Sequence, residues 1–216
     1  MTASNDPGAR LSRQGVLVTG VCQLIELRLC NNAPGCPVAA GKAVFAGMKG
    51  FIEVVIYDQR ARLCLPQLEG GWFKVSLPAR MPRGGPQLED ARLIIRDLKQ
   101  VQRVPPPDGT QPPIVLGLGT VGDVERDFFT NKPMVAQQFE TKFERNGQAE
   151  VKKHVFHWLF DPEDKPLATA LQDSKSKLVN WRGTLVDVPV VTKDGGFETR
   201  AAIAVSSISP IEEAGK

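Results

Sequence analysis

Histidine is almost absent from this chain, which has only His154 and His157 among 216 residues. They stand three apart in a segment with strand character. That spacing sends them to opposite faces of a strand, so they cannot easily chelate one ion. Cysteine is confined to Cys22, Cys30, Cys36 and Cys64, all in the first third. Cys30 and Cys36 are separated by "NNAPG" rather than by the two residues of a zinc knuckle, and no metal is expected. Long apolar runs are missing too. The opening "MTASNDPGARLSRQG" has no apolar core of a secretory signal. The longest apolar-rich run, "GVLVTGVCQLIEL", is too short and too interrupted to span a bilayer. A cytoplasmic protein off the membrane, with reduced thiols, is expected. Nor does one sign of charge dominate. The net charge is +3, with 14 Lys/Arg against 9 Asp/Glu in residues 1–113 and 13 against 15 in residues 114–216. Bulk charge therefore announces no nucleic acid, and such a partner must be held by how charges are placed.

Catalytic signatures are also scarce. The chain has no H-E-x-x-H, no G-x-x-x-x-G-K-[ST] and no G-x-S-x-G, and its carboxylates are scattered. "GLGTVG" at residues 117–122 matches G-x-G-x-x-G. A dinucleotide site needs that motif to join a strand to a full helix, and only "DVERDFF" follows before strand-like sequence resumes. Neither an enzyme nor a cofactor is expected.

What the chain does have is period-two alternation broken by Gly/Pro turns. "GVLVTGVCQLIELRLC", "FIEVVIYDQ", "GWFKVSLPA" and "DARLIIRDLKQVQRV" read as strands, and "NNAPGCPVAAGKAVFAGMKG" as loop with at most a short helix. "PPPDGTQPP", residues 105–113, is a linker between domains. After it, "PIVLGLGTVG" opens a second set of strands. "MVAQQFETKFE" and "AEVKKHVFHWLF" flank the Asn-Gly turn of a hairpin. "LATALQDSK" reads as a short helix with Pro166 near its start. "NWRGTLVDVPVVTKDGGFETRAAIAVSSIS" is a long hairpin turning at Lys193-Asp194-Gly195-Gly196. Five strands with a helix between the third and fourth is the connectivity of an OB-fold barrel. The fold class expected is mainly β. The C-terminal half, 114–209, is read as an OB-fold, and 15–104 as a second, degenerate OB-like barrel with no clear helix. Short tails, 1–14 (disordered) and 210–216, flank them.

Two segments combine aromatic and basic residues. In "KKHVFHWLF" one strand face carries Lys152, His154, Phe156, Trp158 and Phe160; they are either core or a stacking surface. In "GGWFKVSLPARMPRGG", Trp72 and Lys74 share a face, with Arg80 and Arg83 following. A buried Phe73 beside a solvated basic turn is the alternative. Were "RLIIRDLKQVQR" a helix instead, Arg92, Arg96, Lys99 and Arg103 would form a basic stripe, usually a solvated face.

The stretch "LGTVGDVERDFFTNKPMVAQQFETKFERNGQ" resembles the first two strands of bacterial single-stranded DNA-binding proteins. "EVKKHVFHWLF" before a short helix is similar to that family's third strand. "WRGTLVDVPVVTKDGGFETRAAIAVSSI" is similar to its last hairpin. The resemblance covers about residues 115–208. It implies an OB-fold that holds single-stranded DNA with little sequence preference, in replication, recombination or repair. It places His154, Phe156, Trp158 and Phe160 on the DNA side, with His154 where the family has a stacking Trp. Trp181 would lie in the core and Arg182 outside. Lys142, Arg145, Lys152, Arg182, Lys193 and Arg200 would then follow the phosphates, and the first half's own cluster would add Trp72 as an aromatic with Lys74, Arg80 and Arg83 as cations. Implied partners are single-stranded DNA or RNA, further copies of the chain, and replication or recombination proteins. The alternative is a barrel that serves as a protein-interaction or structural subunit without touching DNA.

Overall fold

The computed structural model describes residues 15–30, 36–80, 92–109, 111–126, 133–145, 148–161, 163–191 and 195–211, with the backbone alone for 80, 125–126, 134, 136–145, 148–158, 190–191, 198 and 200. The N-terminal half begins with β1 (Val16–Leu29), β2 (Ala39–Phe45) and β3 (Phe51–Ile56), which pair as an antiparallel meander. After helix α1 (Ala61–Leu68), β4 (Trp72–Arg80) returns antiparallel along β1. β5 (Arg92–Ile95) then closes the circuit, antiparallel to β4 and parallel to β3. The ring β1–β2–β3–β5–β4–β1 is a five-stranded mixed barrel with a helix between its third and fourth strands, an OB-like arrangement. β6 (Val101–Arg103) adds to the far edge of β4.

Alternation builds this barrel. Along β4, Phe73, Val75, Leu77 and Ala79 are buried while Lys74 is exposed. Cys22 and Leu24 of β1, Phe45 of β2, Ile52, Val54 and Ile56 of β3, and Leu93 and Ile95 of β5 fill the same core. Each large side chain so buried contributes about 1.5–3 kcal/mol. Burial also pushes the Cys22 thiol up to about 12, which keeps it protonated and unreactive at neutral pH.

The sequence expectations for this half need correction in three places. Residues 39–45 form a strand, not a loop: Ala39, Ala43 and Phe45 face the core, but alanine and glycine give little of the apolar contrast that marks a strand. A helix does stand between the middle strands, so the barrel is regular rather than degenerate. α1 escapes pattern reading because it has eight residues, carries Pro66 inside, and buries only Ala61 and Leu68. The run 92–103 is neither one strand nor a helix. A 3-10 turn at Leu98–Gln100 divides β5 from β6, started by the Asp97 carboxylate accepting from the Lys99 N–H.

That turn is tied to α1 by charge. Arg60 donates to both Asp58 and Asp97, and the Leu98 N–H donates to Asp58 at 2.8 Å. The Arg60 guanidinium, and after it the Leu98 N–H, hold the Asp58 carboxyl well below the usual carboxylate range. A carboxylate depressed in the folded state adds stability that is complete above the unfolded pKa of about 3.9 and is lost as pH falls toward the folded value. Asp58→Asn is therefore expected to lower the urea midpoint at about pH 7 and to matter progressively less below about pH 4. A midpoint difference that stays constant across that range would contradict the assignment.

The C-terminal half follows the expected order. β7 (Ile114–Arg126), β8 (Pro133–Arg145) and β9 (Gln148–Leu159) form an antiparallel meander. Helix α2 (Lys165–Asp173) begins where the Asp164 carboxylate accepts from the Leu167 N–H. β10 (Leu178–Val191) pairs with both β7 and β11 (Phe197–Pro210). A single parallel bridge, Ala204 with Leu159, links β11 to β9. The pairings thus repeat the circuit of the first half. Arg145 pairs with Gln148, so the Asn-Gly hairpin lies where alternation put it.

The halves share one sheet. β1 pairs with β7 from Val16–Gly117 to Thr19–Ile114. The Asp187 carboxylate of β10 accepts from the Lys49 and Gly50 N–H groups in the β2–β3 turn, at 2.8 and 2.9 Å. Pro113, at the end of the proline-rich segment, is buried, and its carbonyl accepts from the Leu185 N–H.

Candidate nucleic-acid interface

The outer surface of the first barrel carries a row of side chains that crosses four strands. Phe51 pairs with Val44, Val44 with Gln23, and Gln23 with Trp72. Directly opposed residues of antiparallel strands share a face. Their neighbours Ile52, Ala43, Leu24 and Phe73 point into the core, so this row points out. Phe51 is 37% exposed; Val44, Gln23 and Trp72 are half-buried. Three strand steps put Phe51 and Trp72 about 14 Å apart. Lys42 lies over the Phe51 ring at 4.5 Å and pairs with Glu26 at 2.6 Å. Exposed Lys74 stands one position beyond the row, opposite Val21 and Gln102. The row is thus a strip of two aromatic plates with a lysine beside each.

The strip is partly shaped by a bulge. β1 slips register between Ile25 and Arg28, where Glu26 takes a φ of 54°. The Glu69 carboxylate holds this costly conformation by accepting from the Glu26 and Leu27 N–H groups at 2.9 and 2.7 Å.

The second half contributes the long β10–β11 hairpin. Beyond Asp187 it continues through Val188–Arg200 and Pro189–Thr199 to Val191–Phe197. Phe197, at the tip, is 83% exposed. At the hairpin base Trp181 is buried, and Arg182 is exposed beside a bulge. The "GLGTVG" motif lies wholly inside β7 and is not a phosphate loop. Its first glycine has a packing reason. A Cβ on Gly117 would run into the Trp181 indole, so the bare backbone of β7 is the seat of that ring. This removes the dinucleotide-enzyme alternative.

No family model and no curated protein matches the chain. Solved structures do. The chain is similar to single-stranded DNA-binding proteins of known structure. The wild-type single-stranded DNA binding protein from Thermus aquaticus matches over 94% of this chain and 95% of its own, at 11% identity and a TM-score of 0.49. The small single-stranded DNA-binding protein from Streptomyces coelicolor covers 47% of this chain and 96% of its own, at 15% identity and a TM-score of 0.32. A Plasmodium falciparum SSB in complex with ssDNA covers 49% and 99%, at 13% identity and a TM-score of 0.33.

The residues singled out from sequence fall into four groups. Trp72, Lys74 and Arg182 are on the outer surface, and Phe160 is half-buried against the core. Lys142, Arg145, Lys152, His154, Phe156 and Trp158 occupy the β8–β9 ladder, where Trp158 is the register partner of buried Val135. Arg80 pairs with Arg92 and Arg200 with Val188. Lys193, Arg83 and the tail 1–14 lie outside the described residues. Arg92 donates to Glu53 at 2.8 Å and Arg96 lies 5.9 Å from the Tyr57 ring, so these two are not parts of a stripe. Sequence reasoning missed Phe51, Lys42 and Phe197. Phe197 was legible: an aromatic directly after Gly195-Gly196 sits at a hairpin tip, where no core can reach it. Among the described residues, no helix is long and apolar enough to cross a membrane, and no group of three His, Cys, Asp or Glu could hold a metal ion.

Proposed function

We propose that this chain binds single-stranded DNA with little sequence preference, as a non-catalytic protein of replication, recombination or repair. The observation that carries the reading is the pair of outward aromatic stations, the Phe51–Trp72 strip and the Phe197 hairpin tip, on barrels that share one sheet. Every base has a π-face, so stacking on exposed rings contributes about 1–3 kcal/mol per base whatever the sequence. Lys42, Lys74 and Arg182 stand where phosphates would pass. The resemblance of residues 115–208 to bacterial single-stranded DNA-binding proteins supports the same reading. It adds Lys152, His154 and Phe156 toward the hairpin end of β9, with Lys142, Arg145, Arg200, Lys193, Arg80 and Arg83 as phosphate contacts, and leaves to packing Trp158, the register partner of buried Val135, and Phe160, half-buried against the core. In this reading residues 15–104 and 114–209 are two OB-folds that act together in the cytoplasm, in a homo-oligomer.

The test is fluorescence anisotropy of a labelled oligothymidine titrated with the full chain at several salt concentrations, with duplex as competitor. Binding should prefer the single strand. Its logarithm should fall linearly with the logarithm of salt, with a slope of about −0.7 for each phosphate neutralised. Absence of binding at low salt would overturn the proposal and favour a protein partner.

A further inference from the structure

Asp187 commits both oxygens of its carboxylate to the other half of the chain. Oδ2 accepts from the Lys49 N–H at 2.8 Å and Oδ1 from the Gly50 N–H at 2.9 Å. We infer that Asp187 is a positioning residue for single-stranded DNA: it braces the β10–β11 arm against the β2–β3 turn, so that Phe51 and Phe197 engage one strand together. The inference deepens the proposed DNA binding and rests on it.

The arm needs a brace. β10 pairs with β7 from Leu178 to Thr184, and the Leu185 N–H makes one more bond to the Pro113 carbonyl. From Val186 onward β10 pairs with β11 alone. A two-stranded ribbon by itself is only marginally stable. Among the described residues, the hydrogen bonds that tie this ribbon to the first half are the two of Asp187. The turn depends on the same carboxylate. Its Ala46 and Met48 N–H groups bond within the first barrel, to the Val21 and Phe45 carbonyls. Gly50 is buried, and a buried N–H left without an acceptor is costly. Without Asp187 the turn must move to reach water. Both aromatic stations lie close to this tie. Phe51 follows Gly50 directly in the chain. Phe197 pairs with Val191, four residues along β10 from Asp187, a rise of about 13 Å. The sign of the effect separates positioning from charge. Asp187 is exposed, and a carboxylate there repels phosphates, so by charge alone its loss would tighten DNA binding. Positioning predicts the opposite.

The experiment measures anisotropy with labelled oligothymidines of about 30 and about 6 nucleotides, the longer able to reach both barrels and the shorter only one. The proteins are wild type, Asp187→Ala, Asp187→Asn, Phe197→Ala and the Asp187→Ala/Phe197→Ala double variant, each checked for folding by urea denaturation. Asp187→Ala should weaken the longer oligonucleotide about tenfold, because stations that move independently lose effective concentration, and leave the shorter one unchanged. Asp187→Asn, which loses the charge but keeps one acceptor, should lose less. In the Phe197→Ala background Asp187→Ala should have no further effect, since no second station remains to be positioned. Amide hydrogen exchange reports the brace without DNA: the Lys49 and Gly50 N–H groups should exchange faster in Asp187→Ala. Unchanged or tighter binding of the longer oligonucleotide, an undiminished loss in the Phe197→Ala background, or unaltered exchange would overturn the inference and leave the proposed function standing. No oligothymidine binding by the wild type would overturn the proposed function, and with it the role assigned to Asp187.

Discussion

Trp181→Ala is expected to lower the free energy of unfolding by about 3–5 kcal/mol, the range for deleting a buried large aromatic. Trp181 is 3% exposed and stands on β10 between Gly117 of β7 and Ile208 of β11. It therefore fills the seam where three strands of the second circuit meet. Gly117 also pairs with Val16 of β1, so the seat of the indole belongs to the ladder that joins the halves. Gly117→Ala should be destabilising as well, because the added methyl meets the ring, and overpacking of this kind costs about 1–3 kcal/mol. The two changes should not add. With the indole gone, the methyl occupies space the ring has left, and the double variant should be more stable than the sum of the single losses allows. Urea denaturation of the four proteins, followed by far-ultraviolet circular dichroism, gives the coupling. Strict additivity would show that the ring does not rest on Gly117.

Phe197→Ala is expected to weaken binding to oligothymidine by about 5- to 150-fold, which is the stacking of one base. The same substitution should leave the urea midpoint nearly unchanged, since a ring 83% exposed has little native packing to lose. That separation matters, because alanine at buried Phe45, Phe73 or Trp181 would confuse lost folding with lost binding. Anisotropy and denaturation on one preparation supply both numbers. Unchanged affinity would remove the hairpin tip from the interface and leave the outer strip of the first barrel to carry the binding.

The sequence is most readable where alternation is strong and turns are marked. Asn-Gly after Arg145 and Gly-Gly after Asp194 locate both long hairpins, and Asp164 with Pro166 locates α2. Buried Trp181 and exposed Arg182 also stand as the resemblance placed them. The first half is harder to read for a physical reason. Its β2 is built from Ala39, Gly41 and Ala43, small residues that let β1 and β3 approach but give no amphipathic signal. Its helix is held by the Asp58–Arg60–Asp97 cluster and a few apolar contacts, so propensity across 61–68 says little. The outward strip was hidden because its members come from four strands. Phe51, Val44, Gln23 and Trp72 become a set only when the register is known.

The proline-rich stretch 105–113 has the composition of a swivel, yet β7, which follows it, is already hydrogen-bonded to β1 of the first half. Four residue pairs between β1 and β7, and the Asp187 grip on the β2–β3 turn, act as a splint across the two barrels. Cutting the chain within that stretch would leave two fragments that stay annealed along a β-seam. Mutual orientation is therefore written into main-chain pairing, not into linker length.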